Sequence, residues 1–140
     1  MGAQFCSIDI NTDKPLEFID ITEKIKSFVN KSKVKNGLCS VFSKHTTCAI
    51  KIGENEKSLL NDLETLFKSI IPENKDYKHN ITNVDGRKNT HSHLRTMLLP
   101  QSETIPIKDS GLLLGNWQSI FFMEFDGPRK RQIIVEVLGE

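Results

Sequence analysis

What this 140-residue chain lacks narrows its class quickly. Its three cysteines, Cys6, Cys39 and Cys48, are odd in number and form no C-x-x-C pair. Neither a disulfide framework nor a thiolate zinc site suits that set, so reduced, buried thiols of a cytoplasmic protein are expected. No apolar run approaches the ~20 residues that a membrane-crossing helix needs. The opening MGAQFCSIDI has neither the basic start nor the apolar centre of a signal peptide. Gly2 would suit N-myristoylation, but Cys6 stands where that signal needs Ser or Thr. Charge of one sign is missing too. Nineteen Lys and Arg oppose 18 Asp and Glu, so no general field draws the chain to nucleic acid or anionic lipid. No repeat, low-complexity tract or Gly-rich nucleotide loop is present. The length fits one domain with a single core of ordinary size.

The apolar pattern fills in the elements. Strands are expected at Phe5–Ile10 and Leu16–Ile19. The stretch DITEKIKSFVNKSKVKNG then predicts a helix, with Asp20 and Glu23 at its start, Ile21, Ile25, Phe28 and Val29 on one face, and Gly37 beyond its end. Leu38–Ser43 and Thr47–Ile52 read as strands that meet near Lys44 and His45. In ENEKSLLNDLETLFKSII a wide stripe of Leu59, Leu60, Leu63, Leu66, Phe67 and Ile70 predicts a second helix, stopped at Pro72. A polar, turn-rich loop around Asp85-Gly86 follows, of a length more often functional than neutral. After Pro100 the pattern is β: Thr104–Ile107, Leu112–Leu114, Gln118–Phe125 and Gln132–Leu138. The expected class is α+β, a mostly antiparallel sheet with two main helices and one short helix.

The doublet in NTHSHLRTM raises the chemical question. On a strand, His91 and His93 would share a face and could clamp one ion. Thr90 is a good N-cap, however, and Leu94, Met97 and Leu98 recur at helical spacing, which predicts a short helix. The two rings then lie about 200° apart, and the clamp is lost. His93, in a first turn whose positive end disfavours an imidazolium, is the better inward candidate; the alternative is that both rings lie on the surface. His45, in SKHTTCA, and His79, in DYKHN, complete a trio on a strand end, a loop and a helix start. Three such nitrogens with an open position would follow the plan of a catalytic zinc site.

Several separated stretches, HTTCAIKIGENE, DYKHN, HSHL, IPI, LGNWQSIFFMEFDGPRKR and the terminal VEVLGE, resemble the YjbQ-like family from about Leu38 onward. Members of that family often carry the label secondary thiamine-phosphate synthase. The family's His-Thr-(Ser/Thr) falls on His45, Thr46 and Thr47. Its Glu-Asn falls on Glu54 and Asn55, and its Tyr-x-His on Tyr77 and His79. The histidine it places before Leu or Ile is His93. Its Gly-x-Trp-Gln falls on Gly115, Trp117 and Gln118, with Glu124 as the acid of the next strand. This chain departs from the pattern at LLPQS, where Pro100 replaces a glycine. The resemblance implies an α+β fold, a homotrimer, a histidine pocket near a subunit boundary, and a weak ability to join the two halves of thiamine phosphate.

The expected site therefore comprises His45, His79 and His93 around a divalent ion, zinc first, or dividing metal binding and proton transfer among themselves. Glu54 and Glu124 would orient an imidazole or titrate, although Glu54 also suits a plain helix-start acid. Thr46, Thr47, Asn55, Arg95 and Arg129 are the candidate contacts to a small phosphorylated molecule. Arg131 is also available, unless Arg-Lys-Arg is simply a solvated turn. Trp117 is expected to anchor the core or a subunit interface. The rival class is a trimeric binding protein without turnover, and neither nucleic acid nor membrane is an expected partner.

Overall fold

The computed structural model describes residues 1–140. Eight strands and four helices follow one another as β1 (Gly2–Asn11), β2 (Glu17–Asp20), α1 (Thr22–Ser32), β3 (Gly37–Ser43), β4 (Cys48–Gly53), α2 (Lys57–Ile70), α3 (His79–Thr82), α4 (Thr90–Thr96), β5 (Ser102–Lys108), β6 (Gly111–Leu112), β7 (Ser119–Glu124) and β8 (Lys130–Gly139). The strands make two antiparallel sheets, one in the order β1-β8-β3-β5-β6 and the other β2-β7-β4. This is the expected α+β class.

Alternation places the large sheet. Along β8, Arg131, Ile133, Val135 and Val137 are buried while Lys130, Glu136 and Leu138 are exposed. The inward row meets Ile10, Cys39, Val41, Ile105 and Ile107 from neighbouring strands, with Ile25 and Val29 of α1. The small sheet is covered on both faces, which is why β7 reads as an unbroken apolar run. Ile120 and Phe122 join the main core, whereas Phe121, Met123 and the following Phe125 face Phe67 of α2. Phe67 and Phe125 pack edge to face, with ring centres 5.1 Å apart.

Boundaries differ from the sequence expectation in instructive places. The expected cap of the first helix by Asp20 with Glu23 does not form: Ile21 takes the N-cap position without a side-chain bond, and Asp20, one residue before it, accepts from the Thr22 amide at 2.9 Å. The helix ends at Ser32, because Lys33 turns left-handed (φ 61°), so it is shorter than its window. The polar loop contains an unforeseen single turn, α3. Of the strand expected at Leu112–Leu114 only Leu112 lies in one, the two-residue β6 (Gly111–Leu112).

The apolar spacing around α4 predicted a helix, and a helix forms, but its faces are reversed. Thr90, His91, Ser92, Arg95 and Thr96 are buried, while Leu94, Met97 and Leu98 are exposed. Side-chain hydrogen bonds explain the inversion. Ser92 Oγ donates to the Phe125 carbonyl, Thr96 Oγ1 to the Thr46 carbonyl at 2.8 Å, and Arg95 Nη2 to the Ile71 carbonyl at 2.9 Å. Trp117 is 77% exposed in the β6–β7 connection and anchors no core. Leu59, Leu66 and Ile70 of α2 are exposed as well. Cys39 and Cys48 are buried and Cys6 is half-buried, all as free thiols.

Phe67 is the main link from α2 to the small sheet. Phe67→Ala should cost about 3 kcal/mol, the lower end for a buried phenylalanine truncation, as read from the midpoint of a urea denaturation curve. A loss below ~1 kcal/mol would mean that α2 is held by something else.

Candidate functional site

The turn from Lys44 to Thr47 carries the chain from β3 in the large sheet to β4 in the small one. β3 pairs with β8 only as far as Ser43 opposite Ile133. The His45 ring takes the next rung: its Nε2 lies 3.1 Å from both the amide nitrogen and the carbonyl oxygen of Gln132. Fixed there, the ring has no protein partner at Nδ1. Burial and the nearby Arg131 charge push its pKa below the ordinary imidazole value, against the Gln132 bond and Glu124.

His93 reaches the same place from α4. It lines the cavity beside His45, whereas His91 and Arg95 line a different one on the other side of the helix. The doublet is thus split between opposite faces, as helical geometry requires. Burial, then the neighbouring His79, lower the His93 pKa, opposed by Asp126, Thr46 and Asp85. His79 opens α3 and packs its ring edge-on against His93, centre to centre 5.0 Å. His93 therefore touches His79 and shares a cavity with His45. The three rings do not close into one ligand set: no group of three or more His, Cys, Asp or Glu side chains is placed to hold an ion.

The cavity encloses about 250 Å³ and has no apolar residue in its wall. Lys44, Arg129 and Arg131 face it against a single acid, Asp85, with Thr46, Thr47 and Asn89 adding hydroxyls and an amide. Such a wall suits an anion with several oxygens.

Two buried carboxylates hold the arginines. Glu124, fully buried, accepts from Arg131 Nε at 2.8 Å and Nη2 at 2.6 Å, from Thr12 Oγ1 at 2.7 Å and from Cys48 Sγ at 3.0 Å. Arg131, which lines the cavity, also donates from Nη2 to Thr47 Oγ1 at 2.8 Å, while its Nη1 has no protein partner. Burial alone would raise the Glu124 pKa, but the bonds from Arg131, Cys48 and Thr12 outweigh it and hold the carboxyl below its usual range. The same burial, with Glu124 as acceptor and negative neighbour, pushes the Cys48 thiol up. Asp126 sits 3.2 Å from Arg129 Nη2 and accepts from Arg87 Nη2 at 2.7 Å and Asn89 Nδ2 at 2.8 Å. Against burial, Arg87 and Asn89 lower its pKa.

The expected residues divide accordingly. His45, His93, Thr46, Thr47 and Arg129 share the cavity, and His79 stands behind His93. Glu124 lies beneath as a positioning acid for Arg131 rather than as a group open to a substrate. Glu54 and Asn55 are a correction: they follow the far end of β4, six residues on, about 20 Å away at strand rise. There Asn55 Nδ2 donates to Asp20 at 2.9 Å, on the Trp117 side of the small sheet, because Gly53 pairs with Ser119. Arg95 is a second correction, since its direction from the helix takes it away from His93. Arg131 belongs to no solvated turn. Its place in the inward row of β8 was the signal: an arginine in phase with Ile133, Val135 and Val137 must face inward. Asn89 and Asp85 had no such signal, because only the fold of the 72–89 loop brings them in; Asp126 comes from the turn between β7 and β8 and meets Asn89 there.

A family model described as UPF0047 protein YjbQ-like matches residues 6–140. A UPF0047 protein of Methanothermobacter thermautotrophicus is 43% identical over 133 residues, covering 95% of this chain and 90% of that one. A YbjQ-like protein of unknown function from Sulfolobus solfataricus superposes with a TM-score of 0.93 at 37% identity, covering 99% of each chain. A YjbQ/UPF0047 family protein of Clostridium acetobutylicum gives 0.87 at 36% identity, over 95% of this chain and 99% of its own.

Glu124 gives the site its acid limit. Its carboxyl titrates lower in the fold than the ~4.3 of an unfolded glutamate. Its stabilisation is therefore full above that unfolded value and is lost as pH falls through the folded one. Glu124→Gln should lose about 3 kcal/mol at neutral pH, since it strands the Arg131 charge. The gap from wild type should narrow on acidification below about pH 4. Urea melts at both pH values check this, and a gap independent of pH would contradict it.

Proposed function

The chain belongs to the YjbQ-like UPF0047 family, and we propose that it is a small-molecule enzyme that binds a phosphate or pyrophosphate group in the His45–His93 cavity. The supporting observation is a cavity wall without apolar residues, in which three cations face one acid beside two imidazoles whose pKa burial lowers. Arg129, Arg131 and Lys44 take the charge of the group, and would offset charge developing on a leaving pyrophosphate. His45 through Nδ1 and His93 from α4 are the groups able to accept or deliver a proton. The finer form of this reading is a secondary capacity to join the two halves of thiamine phosphate with loss of pyrophosphate, in a cytoplasmic setting that suits three free thiols. Calorimetric titration with pyrophosphate tests it. Binding should weaken about tenfold in Arg129→Ala, a charge-assisted contact, and stay near wild type in His93→Gln while turnover of a pyrophosphorylated substrate falls. No pyrophosphate binding, or an unchanged Arg129→Ala, would refute the reading.

The second reading keeps the divalent ion, zinc first. A catalytic zinc centre needs three protein nitrogens or oxygens about 2.0–2.2 Å from one point, and the chain by itself does not provide them. The contact between His79 and His93 favours a two-nitrogen site completed by ligand oxygens. In that case pyrophosphate affinity drops after chelator dialysis and returns with zinc, whereas the anion reading expects no change.

We also propose a homotrimer. Phe5, Leu38, Phe42 and Leu138 are exposed on the outer face of the large sheet, and Phe42 borders the histidines. Glu54 lies too far along β4 to reach His45 within one chain, so only a second copy could bring the two together, the head-to-tail arrangement of a closed ring. Light scattering should give a trimer mass for the wild type and a smaller one for the double variant Leu38→Glu, Leu138→Glu; a monomeric wild type would refute it.

A further inference from the structure

The other side of α4 carries a separate cavity of about 810 Å³, the size of a metabolite-binding cleft. His91, set aside by the doublet argument, lines it with Arg95 one helical turn on. His91 is only 8% exposed, yet its Nδ1 has no hydrogen-bond partner in the fold. Asn89 is 6% exposed, and its Oδ1 is likewise unpartnered; its amide orientation is fixed, because Nδ2 donates to Asp126. Arg87 Nε is a third buried polar atom without a partner. Arg95, 4% exposed, spends Nε and Nη2 on the Ile71 carbonyl, and no protein acceptor meets Nη1. Buried polar atoms are nearly always satisfied, so three orphans along one cavity point to a ligand that satisfies them.

We infer that this cavity is a second binding site, for a small oxyanion whose body also carries a hydroxyl or amino hydrogen. Charge decides the first half of that description. Lys68 pairs with Glu64 and Arg87 with Asp126, leaving Lys14, Lys88 and Arg95 against Glu73 alone. The wall is thus cationic after its own ion pairs are formed. Asn89 Oδ1 decides the second half, because an oxygen that can only accept needs a donor on the ligand. The site is distinct from the His45–His93 cavity, although Asn89 stands in the wall of both. It does not depend on the function proposed above.

Imidazole NMR separates the two sites, because His91 reports on one and His93 on the other. Glycerol 3-phosphate, added at constant pH and ionic strength, should move the His91 ring signals, with chloride at matched ionic strength leaving them still. The midpoint should rise about tenfold in Arg95→Met, a lost charge-assisted contact, and measurably in the exposed double variant Lys14→Ala, Lys88→Ala. His45→Ala should leave the His91 response intact while altering that of His93. Stationary His91 signals in the wild type overturn the proposal. So does a lysine double variant that titrates like the wild type, which decides the matter even where Arg95→Met fails to fold.

Discussion

The ion pair between Glu124 and Arg131 ties the molecule together at the point where its two sheets meet. Glu124 ends β7 of the small sheet, and Arg131 opens the inward row of β8 in the large one. Thr12, after β1, and Cys48, at the start of β4, donate to the same carboxylate, and Thr47 accepts from the same guanidinium. Taking two charges out of water is expensive, and attraction alone seldom repays it. Here the carboxylate has three further donors, Thr12, Cys48 and the Asp126 amide, and the guanidinium a further acceptor, so the buried carboxylate is fully satisfied. An apolar pair would fill the space but could not offer a guanidinium to the cavity that Arg131 lines.

The same economy of polar contacts shapes α4. It buries hydroxyl and guanidinium groups that bond to the carbonyls of Phe125, Thr46 and Ile71, together with the His91 imidazole, and turns Leu94 outward. The helix then works as a partition. His93 looks to one side and His91 with Arg95 to the other, so a doublet adjacent in sequence serves two cavities. Asp126 braces both sides, holding Arg129 toward one and Arg87 and Asn89 along the other.

The residues that the resemblance singled out also fall into two groups in space. His45, Thr46, Thr47, His93 and the arginines gather at one end of β4; Glu54, Asn55 and Trp117 gather at the other. Trp117 and apolar residues on α2, α4 and the large sheet lie exposed on the surface of the chain. Among them are residues that were expected in the core and are not there.

Periodicity by itself determined the strands, the two main helices, the short helix and the angular separation of His91 from His93, because those follow from repeats of 2 and 3.6 residues within one element. It also contained the inward direction of Arg131, in phase with three buried aliphatic residues. Only the tertiary structure decided which face of α4 is buried, because hydrogen bonds to Phe125, Thr46 and Ile71 outweigh the apolar stripe. Tertiary structure likewise separated Glu54 from the histidines and brought Asn89 and Asp126 to them. Distances of that kind depend on strand length and loop path, which local spacing does not encode.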